Sequence, residues 1–564
     1  MLKIIPLGGL GEIGLNMMVI EYDEVMFIID AGLMFPEDYM LGVDIVIPAM
    51  DYIRENKDKV QAVILTHAHE DHIGALPYLL KEIRLPVYGT AFTLGIVRNK
   101  LIEFDLNKYI DLNLVNPGET LTIDPFEIEF IRVSHSTADG VGLAIKTPEG
   151  VVVHTGDFRI SHDADPMKNT DISTFARLGE AGVLALMSDS TNVEAEGYTM
   201  SEQEVAKNLE KYIIAAPGRV VVALFASNVF RIQQIIDMAV RDHRKVVFNG
   251  RSMDQIIAVA TELGYVHCPP NTLVDMKHID KYRDDEIVII TTGSQGEPMS
   301  ALVRMASGIH KHINIKKGDS VILSSKYIPG NEKAIAGIIN KLYRRGADVI
   351  YSKIAQIHTS GHAHQEELKL MLNLTKPRYF IPIHGEYRHL VVHARLAEGL
   401  GMPRENVLVV EDGKIIAFDE TGGRLEGSVH TGRILVDGKG IGDVGRSVLK
   451  ERRELSEGGL VVVTMIIDEE TGVVLYGPEL ISKGFVFDAA TGYLVDDAQC
   501  VILEIVEEIE AGREDRIELL RKKLQKALKQ YFAFAINRKP LIVPVIIEYE
   551  KKNSLVFFFY SWSF

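Results

Sequence analysis

The sequence predicts an α/β protein of several domains, in which one α/β domain is inserted into another and a small α+β domain follows. Apolar runs of strand length repeatedly end in polar clusters, most clearly in residues 61–72. Strand and helix patterns then alternate from residue 201 to 355, which predicts parallel strands joined by crossover helices. The length of 564 residues is too great for a single hydrophobic core.

The overall composition is that of a soluble globular protein, with 47% hydrophobic and 25% charged residues. The formal net charge of -17 argues against a protein that coats nucleic acid through a broad basic surface. A local basic channel or bound metal ions can still bind phosphate, because the charges lining a groove govern its potential. Composition alone leaves the partner open.

Three further features predict a cytoplasmic protein that does not associate with membranes. The first residues run into glycine-rich turns and lack a basic leader followed by an apolar core. No apolar run reaches the ~20 residues that span a bilayer. Cys268 and Cys500 are far apart and follow no metal or redox spacing, so we expect buried free thiols in a reducing compartment.

The amino-terminal residues 3–30 alternate apolar runs with turns and predict a series of short strands. The glycines of residues 8–14 have a spacing like that of a dinucleotide-binding loop, but no helical pattern follows them, so this signal is weak. Asp30 closes the strand-like run Phe27-Ile28-Ile29. It is either a turn residue or an acceptor that orients a metal-binding imidazole.

The central motif follows the apolar run of residues 62–65 and reads His67-x-His69-x-Asp71-His72. Side chains two apart in extended backbone point to the same side, so His67 and His69 can hold one ion together. Asp71 and His72 lie on the following turn and are free to face a second ion. A lone histidine is more often structural than a ligand. Four potential ligands directly after a buried strand instead predict a metal site.

This spacing resembles the signature of the metallo-β-lactamase superfamily, whose other ligands lie at later strand ends. His135 follows an apolar strand as that resemblance requires, and Asp157 can share two carboxylate oxygens between two ions. His384 ends a later strand, whereas His154 is expected to be structural. The resemblance implies two groups of ligands around two ions: His67, His69, His135 and Asp157 around one, and Asp71, His72, Asp157 and His384 around the other.

Nitrogen and oxygen ligands without a thiolate favour two zinc ions per chain, with manganese as the alternative. Such a pair lowers the pKa of a water nucleophile towards ~7 and neutralises the phosphate oxygens.

Further motifs narrow the resemblance to the β-CASP branch of this superfamily and, within it, to the bacterial ribonuclease J family. They cover almost the whole chain: GGLGEIGLNM, LTHAHEDHIGALPYLL, HTGDFR, SDSTN, TTGSQGEPMSAL, IPGNE, SGHAHQEELKLMLNL and YFIPIHGEYRHL. The implied fold is a metallo-β-lactamase αββα sandwich with an inserted α/β β-CASP domain and a small α+β C-terminal domain. The expected segments are the first part of the sandwich at 1–200, the insertion at 201–355, the return to the sandwich at 356–446, a linker at 447–459 and the C-terminal domain at 460–564.

The resemblance implies a ribonuclease of RNA maturation and decay. It would act from the 5′ end towards the 3′ end, prefer a 5′-monophosphate and also cut internally. His362, or Asp189 working with it, is the expected proton donor to the departing 3′ oxygen. The candidates for binding the 5′-phosphate are Ser227, Asn228, Ser360, Gly361 and His362. The expected partners are single-stranded RNA, a second copy in a homodimer or homotetramer, and other RNA-decay proteins.

Two other classes of function compete with this interpretation. A small-molecule metallohydrolase has no use for the inserted domain or for His362. A non-catalytic scaffold is expected to have lost ligands, whereas all seven are present in this sequence.

Several positions depart from the family pattern. Phe230 stands where histidine is common, Lys326-Tyr327 replaces smaller residues, and His364 replaces a small one. The final residues LVFFFYSWSF are unusually apolar and predict either a buried strand or an oligomerisation patch. Before them, a long amphipathic helix is expected from Gln499 to Phe532, flanked by strands at 459–467, 472–477 and 541–548.

Overall fold

The structure is a computed structural model, and it describes residues 1–163, 165–295, 299–325, 331–438, 440–485, 492–511, 513 and 515–549. The chain divides into two compact units, one made of Met1–Phe35 and Val46–Ile434 and the other of Pro36–Ile45 and Leu435–Phe564. The Lys326-Tyr327 substitution and the apolar residues 555–564 lie outside the described residues.

Strands and helices are numbered here in chain order. The strands are β1 (Leu2–Gly8), β2 (Leu10–Gly11), β3 (Met17–Tyr22), β4 (Val25–Ile29), β5 (Ile45–Pro48), β6 (Val60–Ile64), β7 (Val87–Gly89), β8 (Leu112–Leu114), β9 (Thr120–Ile123), β10 (Phe126–Arg132), β11 (Val141–Thr147), β12 (Gly150–His154), β13 (Ala185–Asp189), β14 (Val220–Ala223), β15 (Lys245–Asn249), β16 (Ile287–Thr291), β17 (Ser320–Leu323), β18 (Asp348–Ile350), β19 (Tyr379–Ile383), β20 (Gly385–Glu386), β21 (Lys414–Asp419), β22 (Gly422–Ser428), β23 (Arg433–Asp437), β24 (Gly440–Ile441), β25 (Leu460–Asp468), β26 (Val474–Lys483) and β27 (Leu541–Tyr549).

The helices are α1 (Asp51–Glu55), α2 (Glu70–Ile73), α3 (Leu76–Glu82), α4 (Ala91–Glu103), α5 (Ile172–Ala181), α6 (Glu202–Ala215), α7 (Val229–Arg241), α8 (Arg251–Glu262), α9 (Ala301–Ser307), α10 (Glu332–Arg344), α11 (Gln365–Thr375), α12 (Tyr387–Gly399), α13 (Arg446–Gly458), α14 (Gly492–Glu507) and α15 (Arg516–Ile536). Within the described residues, none of these helices has the length and apolar character needed to cross a membrane.

Two sheets form the centre of the first unit. One has eight strands in the order β22-β21-β1-β3-β4-β6-β7-β8, and the other has six in the order β19-β13-β12-β11-β10-β9. Their facing side chains share one core, in which the rings of Phe27 and Phe126 meet edge to face at 5.1 Å. Helices α5 and α11 cover the outer face of the six-stranded sheet through Phe175, Leu368 and Met371. This is the αββα sandwich that the sequence motifs imply.

The inserted part of the first unit is a five-stranded parallel sheet in the order β15-β16-β14-β17-β18. Alternate residues of β14 point to opposite faces, so Val220 and Val222 pack with helices α6, α7 and α8 while Val221 packs with α9 and α10. Both faces are therefore buried, which explains why these strands read as continuous apolar runs. The predicted alternation of strands and helices is confirmed.

In the second unit, strands β26, β25 and β27 form a sheet in that order, and helices α14 and α15 cover one face of it. The other face remains apolar. Val462 of the central strand pairs with Val543 and Ile481 of its neighbours, and the latter two are 37% and 45% exposed. Among the described residues, these apolar side chains lie side by side and partly exposed, which makes the face a candidate contact surface.

Two secondary-structure predictions in the C-terminal part were wrong. The expected linker 447–459 forms helix α13, because its charges include the i,i+4 pair Arg453–Glu457 at 2.8 Å and most of its residues are good helix formers. The expected single helix from Gln499 to Phe532 is two helices, α14 and α15, separated by the sequence EIEAGRED. Charge alone does not distinguish a linker from a helix, and an amphipathic pattern alone does not distinguish one long helix from two.

Candidate metal centre

The predicted ligands meet because each follows a strand of the two central sheets. β6 precedes the motif that carries His67, β10 leads to His135, β12 leads to Asp157 and β19 leads to His384. Strands β12, β13 and β19 are parallel neighbours, so their carboxyl ends lie at one edge of the sheet. The same edge carries Asp189 at the end of β13.

The first group consists of His67, His69, His135 and Asp157, whose ligand atoms all lie within 4.8 Å of one another. His69 Nδ1 lies 3.1 Å from both His67 Nε2 and His135 Nε2. Asp157 Oδ2 is 3.6 Å from His67 Nε2 and 3.8 Å from His135 Nε2. Three imidazole nitrogens and one carboxylate oxygen thus converge on a single point.

The second group consists of Asp71, His72 and His384, and a third group, made of Asp157, Asp189, His362 and His384, overlaps both. His384 Nε2 lies 3.3 Å from His72 Nε2 and 3.4 Å from Asp71 Oδ2. The same oxygen of Asp157 that faces the first group lies 3.3 Å from His72 Nε2 and 3.6 Å from His384 Nε2. One carboxylate oxygen therefore stands between two sets of ligands.

The protonation of the first group suits a divalent cation. Burial lowers the pKa of His69 to about 4, and burial also lowers the pKa of His67 and of His135 below its usual value. These imidazoles are neutral at pH 7, which is the form that binds metal.

The second group is rich in negative charge. Burial opposes protonation of His72, but the carboxylates of Asp157, Asp71 and Asp30 outweigh it and raise the pKa of His72 to about 10. These carboxylates stabilise positive charge within the cluster. A bound metal cation would be stabilised in the same way. Both groups therefore fit a divalent metal, and neither contains a thiolate.

Hydrogen bonds on the far side of the histidine rings fix which nitrogen faces the centre. His72 Nδ1 lies 2.7 Å from Asp30 Oδ2, and Asp30 is itself held by the backbone N–H and hydroxyl of Thr66 at 2.8 Å each. His135 Nδ1 donates to the carbonyl of Gly361 at 2.8 Å. Asp30 is therefore the hydrogen-bond acceptor that orients a predicted ligand ring, which is one of the two roles expected for it from the sequence.

Two further contacts were not predicted. Asn16 donates its side-chain N–H to the carbonyl of Asp71 at 3.0 Å and lies 3.3 Å from His72 Nε2. It follows the glycine-rich loop, which was set aside as a weak dinucleotide signal. Gly32 lies so close to Asp71 that a Cβ would stand 1.6 Å from the Asp71 carbonyl oxygen, so only glycine fits there.

The expected proton donor and its partner form a close pair beside the ligands. His362 Nδ1 lies 2.8 Å from Asp189 Oδ2. Burial works against the imidazolium, but Asp189 raises the pKa of His362 above its usual value. The side chain of His362 is 21% exposed, whereas that of Asp189 is only 1% exposed. The histidine is therefore the member of the pair that an incoming molecule can reach.

The four other candidates for phosphate binding lie around these residues. Ser227 Oγ is 3.0 Å from His69 Nε2, so the insertion contributes a partner to a predicted ligand. Asn228 caps helix α7 through an N–H of Arg231 at 3.1 Å. Ser360 Oγ accepts the His362 N–H at 3.1 Å, and a Cβ on Gly361 would meet His135 Cε1 at 2.6 Å. Their role in phosphate binding stays a prediction.

His154 is the one histidine of this region that was expected to be structural. Its Nδ1 accepts the Gly156 N–H at 3.0 Å, and burial lowers its pKa to about 4. It is absent from the ligand groups found among the described residues.

Comparison with protein-family profiles identifies four matched segments. Residues 10–213 match the metallo-β-lactamase superfamily, and residues 217–342 match the β-CASP domain of ribonuclease J. Residues 347–410 match the RNA specificity domain of Zn-dependent metallo-hydrolases, and residues 447–549 match the ribonuclease J C-terminal domain. The matches follow one another along the chain in the order that the motifs imply.

Relatives that align with almost the whole chain are also named ribonuclease J. The chain is 40% identical to ribonuclease J 1 of Streptococcus pyogenes over 549 residues, covering 97% of this chain and 98% of the relative. It is 42% identical to ribonuclease J of Thermus thermophilus over 554 residues, covering 97% and 95%. Among solved structures, a protein of unknown function from Enterococcus faecalis shares the fold, with a TM-score of 0.51 at 15% identity, covering 77% of this chain and all of that one.

Proposed function

Because the chain belongs to the ribonuclease J family and is a metal-dependent ribonuclease, we propose that it degrades single-stranded RNA from the 5′ end with two metal ions and also cuts internally. One observation carries the two-ion part of this proposal. A single oxygen of Asp157 lies 3.3 to 3.8 Å from four imidazole nitrogens that belong to two separate ligand groups.

The chain's own residues divide the chemistry among them. His67, His69 and His135 hold one side of the centre, Asp71, His72 and His384 hold the other, and Asp157 is shared. Two zinc ions bound there would supply an activated water and neutralise charge on the phosphate oxygens, and manganese could do the same. Four of the five ligand rings, those of His67, His72, His135 and His384, are nearly fully buried, so the reacting phosphate meets a centre that is rigid before it arrives.

The departing 3′ oxygen needs a proton, and His362 is the group that we assign to this step. Asp189, buried beneath it, holds the ring through Nδ1 and stabilises its protonated form, which leaves Nε2 free to donate. Asp189 itself is too deeply buried to meet substrate, and the His362 pair holds the pKa of Asp189 below its usual range despite burial. The greater exposure of His362 is the observation that supports it over Asp189 as the proton donor.

A preference for the 5′ end requires a pocket for the terminal phosphate close to the scissile bond. Ser360 and Gly361 contact His362 and His135, Ser227 contacts His69, and Asn228 follows Ser227 and caps helix α7. Hydroxyls and backbone N–H groups of this kind bind a phosphate without a free basic side chain. We propose that these groups bind a terminal monophosphate in preference to a triphosphate.

The test uses single-stranded RNA labelled at its 3′ end and carrying either a 5′-monophosphate or a 5′-triphosphate. We expect progressive shortening from the 5′ end, at least about tenfold faster with the monophosphate, because the added phosphates carry charge and bulk that the pocket does not accommodate. A blunt duplex of the same sequence serves as control and should resist degradation. Equal rates on both 5′ ends would contradict the 5′-phosphate pocket, and internal cuts alone would contradict the exonuclease assignment.

We propose further that the protein is a homodimer or homotetramer and that the exposed face of the C-terminal sheet lies in the contact between copies. This face carries Val543, Val545, Ile547 and Ile481, which are 37%, 40%, 55% and 45% exposed. Burying such a row against a second copy removes apolar surface from water.

Replacing Val545 and Ile547 together with glutamate should lower the mass measured by light scattering to that of a monomer, because charge at the centre of an apolar interface is not compensated. Ile309→Glu, at a position 63% exposed in the insertion, is the matched control and should leave the mass unchanged. A wild-type protein with the mass of a monomer, or a double variant with an unchanged mass, would exclude this surface.

A further inference from the structure

Three charged side chains form a buried chain of ion pairs within the first unit. Arg159 follows β12, Glu202 begins helix α6, and Arg231 lies in helix α7. Arg159 Nη2 donates to Glu202 Oε1 at 2.9 Å, and Arg231 Nε donates to Glu202 Oε2 at 3.1 Å. The side chain of Arg231 is fully buried, that of Arg159 is 6% exposed and that of Glu202 is 14% exposed.

Such a cluster is poorly explained by stability alone. Removing charged groups from water costs several kcal/mol each, and an apolar cluster of similar volume often gives equal or greater stability. Burial works against the Glu202 carboxylate, yet the two guanidinium groups lower the pKa of Glu202 to about 2, so this carboxylate is charged at pH 7. Burying these three charged groups costs free energy, so a role other than stability better explains the arrangement.

That role is visible in what the two arginines hold. Arg159 Nη1 donates to the carbonyl of Ser360 at 3.1 Å, and Arg231 Nη1 donates to the carbonyl of Ile357 at 3.3 Å. Ser324 Oγ also donates to the Ile357 carbonyl, at 2.6 Å, and receives a second N–H of Arg231 at 3.0 Å. Both ends of the segment Ile357 to Ser360 are thus fixed by guanidinium groups that Glu202 joins.

The residues directly after this segment belong to the centre. The carbonyl of Gly361 accepts the Nδ1–H of His135 at 2.8 Å, which turns Nε2 of that ring towards the first ligand group. The N–H of His362 donates to Ser360 Oγ at 3.1 Å, and its ring reaches Asp189. A displacement of Ser360 would therefore move both His135 and His362.

We propose that Glu202, Arg159 and Arg231 are positioning residues that set the segment 357–362, and through it His362 and His135, so that the insertion forms part of the scaffold of the metal centre. The effect on catalysis rests on the proposed role of His362, whereas the effect on metal binding through His135 does not. Helices α6 and α7, which carry Glu202 and Arg231, pack on the five-stranded sheet, whereas Arg159 follows a strand of the six-stranded sheet. The three residues therefore couple these two parts of the first unit at the centre.

The decisive variant replaces the triad with apolar residues of similar size: Arg159→Met, Glu202→Leu and Arg231→Met. Removing all three charges together leaves no buried charge without a partner, so the melting temperature should stay close to that of the wild type. At saturating zinc we expect kcat to fall about 100-fold while KM changes less than about threefold, because a misplaced donor affects the transition state more than binding. The zinc affinity of the metal-free protein should fall about tenfold, through loss of the Gly361 contact that orients His135.

Arg219 and Asp319 provide a matched control. They form another buried ion pair of the insertion, with Arg219 Nε donating to Asp319 Oδ1 at 2.9 Å, and they hold no residue of the centre. Replacing them with Met and Leu should leave kcat and zinc affinity unchanged.

Combining the triad variant with His362→Ala distinguishes a positioning role of the triad from a merely structural one. If the triad acts through His362, its replacement should lower kcat less than about threefold in the His362→Ala background, since coupled residues are not additive. Should the triple variant not fold, Arg159→Lys keeps the charge beside Glu202 but loses the guanidinium fork that binds Ser360 and Glu202 at the same time, and it serves the same comparison.

A folded triad variant with wild-type kcat and wild-type zinc affinity would overturn the proposal. So would a loss of kcat that multiplies in full with that of His362→Ala while zinc affinity stays unchanged. Failure of the proposed exonuclease function is a separate result, because it would appear in the wild-type protein on RNA with a 5′-monophosphate, whatever the triad does to zinc binding.

Discussion

Asp157→Asn is expected to lower the rate of RNA hydrolysis about 1,000-fold or more, the largest effect of any single substitution in this chain. The amide nitrogen that replaces one carboxylate oxygen cannot bind a cation, and the negative charge shared by both ligand groups is lost. Metal ions stabilise the transition state of phosphate hydrolysis by several kcal/mol, and ~4 kcal/mol corresponds to that factor. The loss should appear in kcat with saturating RNA, measured by shortening of an end-labelled strand.

Asp58→Asn is the matched control for this experiment, because Asp58 is exposed and makes none of the contacts of the centre. Its rate should equal that of the wild type. Both variants should give circular dichroism spectra like that of the wild type, since Asp157 lies after a strand end and not within the packed core of the sheets. An Asp157→Asn variant that retains more than about a tenth of the wild-type rate, in fully loaded protein, would show that the bridging carboxylate is not needed.

His362→Ala is expected to lower kcat between about 100-fold and 10,000-fold, the range typical of a lost general acid. His362 also lies in a group with Asp157, Asp189 and His384 whose ligand atoms are close enough to hold an ion, so metal content is measured on the same samples. It should be unchanged, because all seven predicted ligands remain in this variant. The measurement compares normal RNA with a strand whose scissile 3′ oxygen is replaced by sulfur. A thiolate departs without a proton, so on that strand the variant should fall within about tenfold of the wild type.

The paired Asp189→Asn variant separates orientation from donation. It keeps the imidazole but removes the carboxylate 2.8 Å from His362 Nδ1, so we expect a smaller loss than for His362→Ala on normal RNA. If the sulfur-substituted strand were cleaved by His362→Ala as poorly as normal RNA, then His362 would not be the proton donor. Asp189 would then have to be reconsidered in that role.

The ligands that lie close in sequence were the easiest part of the centre to predict. The spacing of His67, His69, Asp71 and His72 is set by the local geometry of a strand and the turn after it. His135, Asp157 and His384 could be predicted because the superfamily resemblance requires ligands at later strand ends, and each of them follows an apolar strand. The sequence predicts that two ions share the two oxygens of Asp157. That the single oxygen Oδ2 faces both ligand groups depends on how the two sheets pack.

The sequence does not predict which residues of different domains contact each other. Ser227 was expected to bind phosphate, and nothing in its surroundings indicated that its hydroxyl lies 3.0 Å from His69 Nε2. Glu202 and Arg231 read as ordinary charged residues of amphipathic helices, since a helical pattern does not tell which charges are buried against another domain. Only the packed structure joins them to Arg159.

The errors in the C-terminal part have a different cause. Helix α13 is rich in charge, and charge was taken as a sign of a linker although Arg, Lys, Glu and Leu are strong helix formers. The stretch that became α14 and α15 has a helical pattern on both sides of a short interruption, and the pattern alone did not reveal the break. In both segments, helix propensity and interruptions of the helical pattern determine the structure in addition to hydrophobic periodicity.

The amount of metal bound per chain tests the central claim most directly. Wild-type protein and Asp157→Asn would be stripped of metal, dialysed against the same buffered zinc solution and analysed by atomic emission, with RNA hydrolysis measured on the same samples. Two zinc ions per wild-type chain, hydrolysis that rises only as the second ion binds, and fewer than two ions on Asp157→Asn are the results that a shared carboxylate predicts. Full activity of the wild type with one ion per chain would contradict the two-ion centre.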